Sequence, residues 1–222
     1  KEPGTNKRNL LVRPVITPRF AVSCTMELMK GLAQLAQKYN IPFQTISAIE
    51  GEIEFVRQLF PQSTSYANVY ELAGLMGEVA PKSTNRAILA HCVHLTEEER
   101  GILKKYDGGI SHCGNSNISI MSGLMPTKEL MNEGIKTSLG TDVSGGCSVS
   151  MLDNEGCDEY LEDPFTVEAR EQTIVAEIFF LATLGGAEVL SSESHVGNFL
   201  PGKQFDGLIV NLEDDGHQQV DM

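Results

Sequence analysis

Asp142 lies in "KTSLGTDVSGGCSVSMLD", residues 136–153, between an apolar run and a glycine pair. By itself such an acid reads as a turn or helix cap, because a carboxylate readily accepts backbone N–H bonds. Its company points toward chemistry. Arg19, His91, His94 and His112 fall at the ends of other short apolar runs. Carboxylate and imidazole are ligands that zinc and iron accept. Gly145 and Gly146 let backbone approach a metal or ligand closely. His91 and His94 are three apart in one run, so in a strand they point to opposite faces and at most one can face a site. His91 continues the apolar run and is the better candidate, with His94 assigned to a loop. His112 reads equally well as a buried histidine bonded to a backbone carbonyl. Arg19 follows Thr17-Pro18, a pair that holds the chain extended and aims the next side chain; its plain alternative is a surface salt bridge. "HCGNSNISIMSG", 112–123, is either turn chemistry or polarity facing a substrate.

The elements that must position these groups are short apolar runs alternating with amphipathic helical stretches. Strands are expected at 11–18, 41–47, 86–95, 108–113 and 135–142, with a last one at 207–212. Helical spacing marks "CTMELMKGLAQLAQKYN", "EIEFVRQLF" up to Pro61, one helix inside 63–85, "TEEERGILKKY" and "TKELMNEG". Thr96 and Glu99 have the spacing of a capping box. A long helical region follows at 166–190, with Gly185-Gly186 as its expected break. Such alternation predicts an α/β fold with a parallel sheet or barrel. In these folds functional groups collect at the carboxyl ends of the strands. The candidates listed above stand at those ends.

The 222 residues are 41% hydrophobic and 21% charged, enough for one large domain or two small ones. With 17 basic and 30 acidic residues the net charge is -13, which argues against a nucleic-acid-binding surface. No apolar run reaches the ~18 residues that span a bilayer, and no secretory leader is present, so no membrane partner is expected. Five scattered cysteines without a C-x-x-C predict reduced thiols, a cytoplasmic protein and no structural zinc cluster. "DNEGCDEYLED", 153–163, carries six acids and no base and reads as a solvated loop. Dinucleotide, P-loop and nucleophile-elbow motifs are missing, as is the signature of the zinc deaminases that edit nucleic acids.

"VRPVITPRFAVSC", "AILAHCVHLTEEE", "ISHCGNSNISIMSG", "LGTDVSGGCSVSMLD", "LATLGGAEVL" and "GNFLPGKQFDGLIVN" follow one another in order through nearly the whole chain. Together they resemble the guanine deaminase family, metal-dependent (β/α)8 enzymes of the amidohydrolase superfamily. The resemblance implies the C-terminal part of a TIM-type barrel over 1–195 and the beginning of a flanking small β-domain over 196–222. It implies conversion of guanine to xanthine and ammonia by a metal-activated water, a metal lowering that water's pKa to about 7. Asp142 matches the aspartate that binds the metal and accepts a proton. His91 would orient the hydroxide and the intermediate. Arg19 would hydrogen-bond the guanine carbonyl and Phe20 would pack on the ring. One zinc ion, with iron as the other option, and a homodimer are the associated expectations.

The chain departs from the family pattern in three places. The H-x-H pair of the first barrel strand is not in it. Thr45 and Ala48 of "TISA" stand where the family has a metal-binding histidine and a proton-shuttling glutamate, and Glu50 comes two residues later. The acidic 153–163 segment replaces a helix. Asp142 is then the one matched ligand, whereas catalytic zinc usually takes three. The chain is therefore expected to be incomplete and inactive alone. The alternative is a degenerate, non-catalytic relative that binds purines or pairs with an intact subunit. T-P-R-F argues against a pterin- or triazine-directed amidohydrolase.

Overall fold

The computed structural model describes residues 12–47, 50–77, 87–151 and 175–209. Ala48, the acidic 153–163 segment, the start of the 166–190 helical region and residues 210–212 lie outside them, as does the side chain of Glu50. Four strands, β1 (Phe43–Ser47), β2 (Ala87–His91), β3 (Gly109–His112) and β4 (Lys136–Leu139), form one parallel sheet in the order β1-β2-β3-β4. Sequential parallel order joined by helical crossovers is an arc of a (β/α)8 barrel. A doubly wound sheet would instead reverse its order partway.

The strand expected at 11–18 does not form. Only Ile16 bridges to Phe43, through Ile16 N–H to Pro42 O at 2.9 Å and Gln44 N–H to Ile16 O at 2.8 Å. The next donor in register would be Pro18, which has no N–H. The ladder slips instead, and Ile46 N–H bonds Arg19 O at 3.0 Å. Residues 207–209 of the last expected strand are not in strand conformation either.

Helices α1 (Met26–Tyr39), α2 (Glu50–Leu59), α3 (Tyr66–Leu72), α4 (Glu97–Lys105) and α6 (Thr127–Asn132) fall where their periodicity predicts. Between them a further helix, α5 (Gly114–Ser119), forms in the stretch that reads from sequence as turn chemistry or as polarity facing a substrate. The late helical region runs as α7 (Val175–Phe180), a π turn (Leu181–Gly185) and α8 (Gly186–Val189) without a break. Gly185 and Gly186 both have helical dihedrals. Gly185 permits close approach: a Cβ there would lie 2.9 Å from the Thr137 carbonyl of β4.

The core packs α1, α3 and α4 against Phe43, Ala87, Leu89 and Ile110 of the sheet. Tyr70 is fully buried and tilts against Phe43, ring centroids 5.8 Å apart. Its hydroxyl donates to Ile46 O at 2.9 Å and meets Thr45 Oγ1 at 2.9 Å. Burial holds the Tyr70 hydroxyl above its ordinary value. Burial, reinforced by Tyr70 and Glu52, does the same to Tyr66.

The capping box at α4 is complete. Glu99 is itself buried and does more than cap: its Oε1 accepts from Ala67 N of α3 at 3.0 Å, while Oε2 accepts from Thr96 N at 2.9 Å. One carboxylate thus satisfies backbone donors of two helices.

Two outcomes follow from this packing. Thr96→Ala removes one cap and is expected to cost about 1 kcal/mol. Glu99→Ala strands two backbone donors, one of them in the core, and is expected to cost roughly 2–4 kcal/mol; urea unfolding of both variants checks the order. Because the Tyr66 and Tyr70 pKa values are raised in the fold, the unfolded state releases those protons first as pH climbs. Their contribution is intact below about pH 10 and falls above it, which urea midpoints between pH 8 and 11 would record.

Candidate functional site

Parallel register brings the strand tips level. Ser47 pairs with His91 across β1 and β2, and His112 pairs with Leu139 across β3 and β4. At the end of β2 the chain turns sharply, with His91 at φ 69° and Cys92 at φ 52°. Positive φ is uncommon for side chains of this size and clusters at functional sites. Cys92 N–H still bonds Ser47 O at 3.0 Å, so the turn is pinned to β1. The fully buried Cys92 thiol is pushed well up by desolvation, which marks it as packing rather than a nucleophile.

Asp142 comes three residues past the end of β4, also in the left-handed region at φ 45°. Its carbonyl accepts from Gly145 N–H at 2.8 Å and Gly146 N–H at 2.7 Å. The glycine pair is required by proximity. A Cβ on Gly145 would stand 2.4 Å from Asp142 Oδ2, and one on Gly146 would stand 2.2 Å from the Thr141 carbonyl.

The two turns bring His91 Nε2 to 3.9 Å from Asp142 Oδ2, too far for a hydrogen bond and close enough to share one small ligand. The imidazole is buried while the carboxylate is 37% exposed, so the pair opens outward on the Asp142 side. Helix α5 stands between them at the tip of β3. Ser116 Oγ donates to Asp142 Oδ2 at 2.6 Å, and Asn117 Oδ1 meets His91 Nδ1 at 2.8 Å. Both residues were missed from sequence. Their signal was the N-S-N string, which reads equally as turn chemistry or as polarity facing a substrate until the short helix turns two successive side chains inward.

Arg19 and Phe20 stand beside the tip of β1. The Arg19 guanidinium lies 5.3 Å from the Phe20 ring centroid, and the Arg19 carbonyl is tied to Ile46 N–H and accepts from Thr45 Oγ1 at 3.3 Å. Ile46 is the partner of Ala90, which puts the Arg19 backbone about 10 Å, two strand spacings, from β2. Among the described residues no hydrogen bond or ion pair links either side chain to His91 or Asp142. His94 lies in the loop beyond β2, its Nε2 2.9 Å from Ser122 O. His112 is buried at the β3 tip.

A metal centre finds too few ligands here. Among the described residues no group of three or more His, Cys, Asp and Glu side chains converges. Thr45, where the resemblance leads one to expect a metal-binding histidine, is buried and engaged with Tyr70 and Arg19 O. The described residues therefore do not by themselves fit a catalytic zinc ion. Among the described residues no helix is long and apolar enough to cross a bilayer.

Gly146→Ala places its methyl against backbone that cannot rotate away, and is expected to cost about 1–3 kcal/mol. Gly145→Ala meets a side chain instead and is expected to displace the Asp142 carboxylate at lower cost. Denaturant unfolding paired with a crystal structure of each variant checks both.

The Amidohydrolase family profile matches residues 4–220. A probable guanine deaminase of Schizosaccharomyces pombe is 43% identical over 221 residues, 96% of this chain and 40% of that protein. Guanine deaminase of Mus musculus is 39% identical over 203 residues, 90% of this chain and 43% of that protein. The crystal structure of guanine deaminase from C. acetobutylicum with bound guanine superposes with a TM-score of 0.81 at 32% identity, covering 90% of this chain and 47% of that one. The chain thus spans less than half the length of these relatives. An adenosine deaminase from Xanthomonas campestris with bound zinc shares the fold, with a TM-score of 0.77 at 20% identity. The resemblance read from the strand-tip motifs is borne out: the chain belongs to the Amidohydrolase family.

Proposed function

We propose that this chain supplies the purine-binding and proton-transfer part of a guanine deaminase. The observation that carries the reading is the approach of His91 to Asp142 at the tips of β2 and β4, 3.9 Å apart, in a chain similar to guanine deaminases over most of its length. Guanine is the substrate. Arg19 donates to its carbonyl oxygen and Phe20 covers one face of the ring. A water adds at C2, Asp142 accepts its proton, and His91 holds the new oxygen in place. The proton passes to the leaving amine, ammonia departs and xanthine remains. General acid–base help of this kind contributes about 10²–10⁴-fold.

A divalent ion, zinc before iron, belongs to the proposal through the superfamily, with Asp142 as its ligand. The remaining ligands have to come from outside the described residues. Residues 1–195 form the barrel portion in this reading, and 196–222 lead into the flanking β-domain. The thiols of Cys24, Cys92 and Cys147 suit a cytoplasmic enzyme, and a homodimer is its proposed assembly.

A second reading is favoured by one observation. Thr45 spends its hydroxyl inside the core, on Tyr70 and Arg19 O, where the family has a metal ligand. That suits a non-catalytic relative that binds purines or pairs with an intact subunit.

Guanine titration into the chain tests the shared part of both readings: Arg19→Ala and Phe20→Ala should each weaken binding about tenfold, a loss of ~1.4 kcal/mol. Equal affinity in all three proteins removes the purine site. Joining the chain to the N-terminal half of a guanine deaminase, with Thr45→His and Ala48→Glu, separates the readings. Release of ammonia from guanine that drops about 10²–10⁴-fold in Asp142→Asn supports the enzyme. Binding without release supports the non-catalytic relative.

A further inference from the structure

We propose that Asn117 is a positioning residue that fixes the His91 imidazole in the Nδ1–H tautomer and so turns the Nε2 lone pair toward Asp142. The inference rests on the deaminase reading for its purpose but not for its geometry. Asn117 is 1% exposed and His91 2% exposed, so water cannot substitute for either partner. Asn117 Oδ1 stands 2.8 Å from His91 Nδ1. An amide oxygen only accepts, which requires the proton on Nδ1. In the neutral imidazole the other ring nitrogen is then unprotonated, and it faces the Asp142 carboxylate at 3.9 Å. Two acceptors at that separation do not bond to each other; they bracket a position for one small donor, such as a water between them.

The arrangement is built rather than incidental. Residues i and i+1 of a helix point about 100° apart. Helix α5 springs from the middle strand of the three, so Ser116 reaches the Asp142 side and Asn117 the His91 side. His91 pays for its place with a left-handed backbone, and without an anchor on Nδ1 the ring could rotate about its side-chain bonds. The amide nitrogen of Asn117 is buried with no hydrogen-bond partner among the described residues. Leaving a buried donor unmet costs ~1–3 kcal/mol, an expense that packing alone does not explain. Rotating the amide would place the nitrogen against Nδ1 and force the histidine proton onto Nε2. The two amide orientations thus demand opposite tautomers of His91.

Long-range proton–nitrogen correlation spectra of the histidine side chains in the 15N-labelled 222-residue chain at pH 8 decide between them. The His91 signals are identified by their disappearance in His91→Gln. The expected result is a single Nδ1–H form in the unmodified chain, its loss in Asn117→Leu, and its retention in Asn117→Asp, which keeps an acceptor. An Nε2–H or averaged signal in the unmodified chain overturns the proposal, whether or not any variant folds. So does an unchanged His91 signal in a folded Asn117→Leu. In the joined, guanine-deaminating protein, Asn117→Leu should lower kcat at least tenfold with KM for guanine within twofold, because Asn117 touches His91 rather than the ring. If that protein releases no ammonia, the deaminase reading fails while the tautomer result stands independently.

Discussion

The left-handed turn at His91 and Cys92 is the constraint on which the site depends. A parallel strand that continued straight past its last ladder bond would carry the next residues away from their neighbours. Here β2 stops at the level where Ser47 ends β1, and the reversal of φ drops the imidazole into buried space beside the β3 tip. The same device recurs after β4, where Asp142 adopts a left-handed conformation and the glycine pair clears room for its carboxylate. Two strained turns on strands flanking β3, with α5 between them, leave a short gap between an imidazole and a carboxylate. Neither turn is favourable alone. Backbone bonds from Cys92 to Ser47 and from the glycines to Asp142 hold them.

Packing beneath the site explains why the tips can be this ordered. Tyr70 ties the core to β1 through Ile46 O and Thr45, and Glu99 joins α3 to α4 with one carboxylate. Farther out, Arg100 bonds Glu129 and Glu133, and Lys104 reaches Glu133 at 2.6 Å, linking α4 to α6. These partly exposed ion pairs add little stability individually. They do fix how consecutive helices sit against the sheet, and hence the spacing of the strands.

Thr45 is where the fold and the expected chemistry part. The resemblance read from the sequence leads one to expect a metal ligand at this position. Here the side chain is short and buried, and its hydroxyl is taken up by Tyr70 and the Arg19 carbonyl. The polar knot stabilises the entry of β1 while contributing nothing to a metal. Among the described residues the chain shows too few converging ligands for an ion.

Local pattern carried much of this to the surface of the sequence. Helical spacing located α1, α2, α4 and α6, the capping box predicted Thr96 and Glu99, and motif spacing singled out Asp142 and His91, because these features depend on neighbours a few residues away. Other features depend on partners far along the chain. Pro18 withholds the one donor that would have made 11–18 a strand. The N-S-N string becomes a helix only with the tips of β2 and β4 on either side. Gly185-Gly186 stays helical because the helix must lie against the Thr137 carbonyl. Residue types and their order therefore determined which groups could do chemistry. The register of a parallel sheet and two left-handed turns decided which of them meet, because side chains fifty residues apart converge only when backbone bonds have fixed where each strand ends.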